Sequence, residues 1–317
     1  MGDGRLKIRE LAGALLPALA LIWLLNASPA NADGINVVVS IKPVHSLVAA
    51  VMVGVDTPHL LVKGAGSPHA FALKPSDARA LQNAQVVFWM GKGMETFLTG
   101  PIGSVATNAQ IVSLAATPDI VLLPTREGGT WQHHDHDESN ANDHPEEFDW
   151  HIWLDPQNAG AMVTAIVTQL SAIDTANQEI YRQNGAALTK RIDRLDKEIR
   201  AIIDTVRDKP FVVFHDAYQY FEAHYGIHAA GSITISPDIP PGAARLARMR
   251  DKVRTLNSVC VFSEPQFRPK AVAILTEGTG ARAGVLDPLG ANLAAGPDQY
   301  FELMRGLATS LRNCLSQ

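Results

Sequence analysis

With 317 residues, 46% of them hydrophobic, the chain is long and apolar enough to build sizeable cores in two domains. Its net charge of −5, without basic clusters, argues against nucleic acid as a partner. Much of the acidity is local, because residues 127–149 hold eight acidic side chains and no lysine or arginine.

Residues 1–32 read as an export signal. Arg5, Lys7 and Arg9 precede an apolar run from Leu11 to Leu25, and Ala30-Asn31-Ala32 offers the small residues that a signal peptidase reads. The run is shorter than the roughly 20 residues that span a bilayer and is broken by Pro17. No cysteine lies near the cleavage point, which argues against a lipid anchor. The mature chain is expected to start near Asp33, to contain no transmembrane segment and to work as a monomer in the periplasm.

From Asn36 onward short apolar runs alternate with helical patterns, the signature of βα units and a parallel sheet. In residues 33–155, the first lobe, strands are predicted at Asn36–Ile41, Leu60–Lys63, Val86–Met90 and Ile111–Ser113. Helices are predicted at Pro43–Val53, Pro75–Asn83 and Met94–Leu98. Residues 156–208 form a helical linker. They lack proline after Pro156, and Ile192, Leu195, Ile199, Ile202, Ile203 and Val206 recur at helical spacing. The second helix of the linker is predicted near Ala176–Arg207, about 48 Å of stiff rod at 1.5 Å per residue.

The second lobe, residues 209–317, repeats the scheme. Strands are predicted at Phe211–Phe214, His228–Ile233, Val259–Phe262 and Arg282–Leu286, and helices at Ala217–Tyr225, Ala243–Leu256, Pro269–Gly278 and Asp298–Leu315. The fold class is therefore α/β: two similar lobes, each a mostly parallel sheet flanked by helices, joined by a long rigid backbone helix. Cys260 and Cys314 are the only cysteines. In an exported protein so wide a spacing reads as a disulfide more simply than as a metal pair, and it would pin the last helix to the sheet.

Of the eleven histidines, five fall between His133 and His151. Imidazole and carboxylate together favour a borderline divalent ion such as zinc. His133, His134, His136 and His144 lie in a polar loop without apolar periodicity, which predicts disorder and weak metal collection. His151 instead sits among large apolar side chains, in Phe148-Asp149-Trp150-His151-Ile152-Trp153. His69 follows one predicted strand, His215 another and Asp287 a third, each at a carboxyl end, where open parallel sheets bind ligands. Convergence of His69, His151 and His215 on the cleft between lobes points to a metal site. His45, His59, His224 and His228 lie inside helix or strand patterns and read as structural.

Ser67-Pro68-His69 with Leu73-Lys74-Pro75-Ser76-Asp77, His151-Ile152-Trp153-Leu154, Phe214-His215-Asp216-Ala217-Tyr218, Glu264-Pro265-Gln266-Phe267 and Leu286-Asp287-Pro288-Leu289-Gly290 resemble the ZnuA-type zinc-binding proteins of bacterial ABC transporters. The likeness covers the whole mature chain, including the histidine-rich insert and the cysteine pair. It implies a periplasmic solute-binding protein that captures Zn2+ and passes it to a membrane permease driven by a separate ATPase. His69, His151 and His215 match the family's metal histidines. Some relatives carry a glutamate just before the first, where this chain has Pro68. Asp287 matches an aspartate that completes the site in some members, while many zinc-specific members hold a water there.

Manganese-binding relatives have glutamate in place of His215, so the nitrogen-rich set implies zinc over the alternative of a manganese-binding member. A metal-dependent surface adhesin of the same fold is the other alternative. An enzyme is not expected: a three-histidine hydrolase would need a general base, and neither His-Glu-x-x-His nor His-x-Glu with Pro-Cys-x-x-Cys occurs. The chain also lacks a Gly-x-x-x-x-Gly-Lys-Ser/Thr loop, so energy must come from the partner ATPase.

Overall fold

Two four-stranded parallel sheets carry the architecture, and both have the same strand order. The computed structural model describes residues 1–2, 34–126, 148–234, 237, 241–256 and 259–316. The proposed signal segment and the loop bearing His133, His134, His136 and His144 lie outside the described residues. In the first sheet β1 (Val37–Val39) pairs with β2 (His59–Leu60) on one side and β3 (Val86–Trp89) on the other, and β4 (Gln110–Ser113) adds to β3. The second sheet places β5 (Phe211–Val213) between β6 (Ala229–Ser232) and β7 (Cys260–Ser263), with β8 (Arg282–Val285) outside β7.

Both sheets are central layers. All of β1 and β3 are buried, as are β5 and most of β7, which explains their nearly unbroken Val, Phe and Trp runs. Around the first sheet lie α1 (Lys42–Val51), α2 (Pro75–Gln82) and α3 (Thr99–Ser104). Around the second lie α6 (Gln219–Tyr225), α7 (Ala243–Thr255), α8 (Lys270–Thr276) and α9 (Gln299–Leu315). The Met94–Leu98 helix is replaced by a 3-10 turn at Thr96–Leu98 that runs into α3. Glu95 causes this: its buried carboxylate accepts from the Met90 and Gly91 amides at 3.1 and 3.0 Å and ends the preceding turn.

Between the sheets run α4 (Pro156–Ile173) and α5 (Gln178–Ile203). The 26 residues of α5 give a helix of about 39 Å. It is shorter than the repeat of isoleucines suggests. Ala176 belongs to a separate 3-10 turn, where Asp174 binds the Asn177 amide and the Tyr181 hydroxyl, and beyond Asp204 the chain turns. One stripe of α5, namely Tyr181, Gly185, Leu188, Ile192, Leu195, Ile199 and Ile203, is buried. Gly185 is a contact point in this stripe, because a Cβ there would stand 2.4 Å from Val167 of α4.

The apolar cluster built on α4 and α5 includes Val37, Val39, Val86 and Phe88 from one sheet, Phe211, Val213 and Phe262 from the other, and the buried face of α9. Ile35–Gln317 accordingly make one compact unit. Cys260 of β7 is bonded to Cys314 of α9, with their Cα atoms 6.2 Å apart, so the last helix is covalently tied to the second sheet. No helix among the described residues is long and apolar enough to cross a membrane.

Candidate metal site

His69 sits in the 3-10 turn Pro68–Ala70 that follows β2, and its amide donates to Ser67 Oγ at 3.3 Å. His151 caps the 3-10 turn Ile152–Leu154, which leads into α4. The segment before it is fixed by Trp150. A Cβ on Gly91 or Gly93 would stand 2.5 or 2.0 Å from the Trp150 indole, so the β3 end must be bare glycine for the ring to lie there. His215 follows β5 directly.

These three imidazoles converge. One nitrogen from each lies within 4.8 Å of the others, and the ring centroids are 5.1 to 6.0 Å apart. His151 Nε2 and His215 Nε2 face each other at 3.3 Å. Two imidazole lone pairs cannot meet at that distance without a proton or a cation between them. The rings also border a small solvent-open pocket lined by Trp153, Gln266, Phe267, Pro288 and Leu289.

Each of the two buried histidines is oriented from behind by a carboxylate. His151 Nδ1 lies 2.7 Å from Asp149 Oδ1, which also accepts the His151 amide at 2.9 Å. His215 Nδ1 lies 2.7 Å from Glu264 Oε1. A proton shared at Nδ1 leaves the Nε2 lone pair toward the centre, the tautomer a metal needs. Asp149 and Glu264 are buried, and Asp149 Oδ2 and Glu264 Oε2 have no hydrogen-bond partner among the described residues. Excess negative charge thus stands behind the nitrogens.

The electrostatics of the rings differ accordingly. Burial holds His69 and His151 well below the ordinary histidine value, reinforced by neighbouring imidazoles, so both stay neutral and ready to bind. At His215 burial also disfavours the charge, but the carboxylates of Glu264, Asp216 and Asp149 together outweigh it and the net direction is upward. Burial pushes Asp149 up to about 6, against the His151 amide and Arg126, which hold it down.

Asp287 is not in this group. Its Oδ1 accepts from Gln266 Nε2 at 2.8 Å and from the Leu289 and Gly290 amides at 3.1 and 2.9 Å, while Oδ2 accepts from the Ala291 amide at 2.6 Å. The carboxylate closes the turn after β8. Lys42 Nζ, from the first lobe, donates to Gly290, Ala291 and Leu293 carbonyls at 2.7 to 3.0 Å and fixes the same turn from across the cleft.

The other histidines among the described residues lie outside the cluster. His45 Nε2 lies 3.0 Å from the Pro58 carbonyl, His59 lies 3.4 Å from Asp77, and His228 is exposed. His224 is held between Asp155 and Asp196. The sequence pattern alone marks out no role for Asp149, Glu264 or Gln266. For Asp149 the signal was available in the Asp-x-His spacing, but Glu264 is 49 residues from His215 and only the sheet brings them together.

The model of the family described as ZnuA, zinc-uptake complex component A, periplasmic, matches residues 37–314. The chain belongs to the ZnuA family. Its relatives include the high-affinity zinc uptake system protein ZnuA of Brucella suis biovar 1, 47% identical over 307 residues that cover 89% of this chain and 92% of the relative. The ZnuA of Yersinia pestis is 37% identical, with 95% and 98% covered. A crystal structure of ZnuA matches with a TM-score of 0.76 at 26% identity, over 89% of this chain and 100% of that one. The two-lobed α/β architecture is thus that of the ZnuA fold.

Proposed function

We propose that this protein captures zinc in the periplasm and delivers it to an ABC permease, whose ATPase supplies the energy, and that it does so as a monomer without enzymatic chemistry. Export would follow from residues 1–32 and capture would take place between lobes at 33–155 and 209–317. The observation that carries the reading is the convergence of His69, His151 and His215 on one buried point. His151 and His215 would bind through Nε2, with Asp149 and Glu264 holding the rings and offsetting part of the ion's charge.

Three imidazoles and no clustered carboxylate make a borderline ion the preferred cargo and manganese a poor one. His133, His134, His136 and His144 would add a weaker collecting class, removed by deleting residues 127–147 while the tight site stays. The test is metal analysis of protein purified from the periplasm, with competitive zinc titration, beside growth of a deletion strain in zinc-limited medium. One equivalent of tightly held zinc and a zinc-dependent growth defect are expected; manganese as the bound metal would contradict the reading.

A further inference from the structure

Three imidazoles leave a four-coordinate zinc ion one open position, and among the unpartnered polar atoms of the residues lining the cleft is an amide oxygen. Gln266 lines the same cavity as His69, His151 and His215. Its Nε2 donates to Asp287 Oδ1 at 2.8 Å. A carboxylate only accepts, so this bond fixes which end of the amide is which. The other end, Oε1, is buried with no hydrogen-bond partner among the described residues. Buried acceptors are normally satisfied, and one left open beside a binding cleft points to a ligand.

We propose that Gln266 serves the fourth position of the zinc site, its Oε1 accepting a hydrogen bond from the water that fills it, and that Asp287 acts through Gln266 and not as a ligand. The inference rests on the zinc-binding reading above. It accounts for the occupied state of the Asp287 carboxylate: both oxygens are bound to the turn, and swinging one toward the ion would release the Leu289, Gly290 and Ala291 amides together. The next residue, Phe267, is stacked on Phe214 with rings 5.1 Å apart, and the Asp287 bond fixes the amide itself. A neutral oxygen in this place adds no charge, so selectivity stays with the imidazoles.

The test compares wild type, Gln266→Leu, Asp287→Ala, the double variant and His215→Ala by competitive zinc titration and by the visible spectrum of the Co2+ form. Gln266→Leu should weaken zinc about tenfold, the scale typical of outer partners, mainly through faster release. The Co2+ bands should shift while the melting temperature without metal stays unchanged. Asp287→Ala should weaken zinc alone but add nothing in the Gln266→Leu background. Should the leucine variant fold poorly, Gln266→Asn, which withdraws the amide by one methylene, should show the same loss.

Unchanged zinc affinity and Co2+ spectrum in Gln266→Leu, with zinc lost in His215→Ala, would overturn the proposal and leave the three-histidine site standing. A full Asp287→Ala effect in the double variant would overturn it too, by making Asp287 the ligand. Zinc bound normally by His215→Ala would remove the site and the proposal together.

Discussion

Glu95 carries the least expected charge in the protein. It is fully buried, accepts from Ser40 Oγ at 2.5 Å, and burial pushes its pKa up to about 7 from 4.5 despite the amides that hold it down. A folded-state pKa above the unfolded one means that the native protein binds the extra proton between those values. Stability should therefore fall as pH rises through the window from about 4.5 to 7, by about 3 kcal/mol in all. Glu95→Gln mimics the protonated form and should flatten this dependence. Thermal melts of metal-free protein at pH 5 and 7.5 measure it, and equal slopes for the two proteins would refute the assignment. At this scale His69 and His215 were legible because each comes after a strand, where backbone geometry leaves side chains open to a cleft, and His151 because it stands alone among large apolar side chains before α4. Asp287 shows the limit of that argument: an aspartate before Pro-Leu-Gly is equally suited to close a turn, and its hydrogen bonds show that it does.

At the scale of elements, one fastening ties the second lobe to the central helices and another ties its last helix to its sheet. His224 of α6 places Nδ1 3.0 Å from Asp155, the N-cap of α4, and Nε2 2.8 Å from Asp196 of α5. Burial opposes its charge, but the two carboxylates win and raise its pKa above 6.5. The stabilisation is then complete below 6.5 and fades as pH rises through the folded-state value, while Arg200 beside Nε2 limits it throughout. His224→Leu should cost about 1–3 kcal/mol at pH 6 and less at pH 9, read by denaturant unfolding. A loss independent of pH would show a packing role alone.

The second fastening is the Cys260–Cys314 bond, which closes a separation of 54 residues. Chain entropy sets an upper stabilisation of about 4 kcal/mol. A double-serine variant should melt lower yet keep its zinc. Loss of zinc with the melting temperature unchanged would contradict this. Strands and helices were readable here because apolar period and proline position are local. The ends of α5 were not, since they depend on Asp174 and on the turn after Asp204, which compete with continued helix.

For the whole molecule, the two sheets of equal strand order present His69 and His215 from opposite lobes, and the core on α4 and α5 runs through both. Repetition of the βα pattern made this two-lobed plan legible. The cross-cleft ties were not, because Lys42 is 248 residues from Gly290 and no local pattern links them. On the zinc-capture reading, cargo binding joins the lobes through His215. Competitive zinc titration of His215→Ala beside wild type decides this: affinity should fall at least about tenfold, since one imidazole and its Glu264 support are lost together, and zinc bound as tightly as by wild type would refute it.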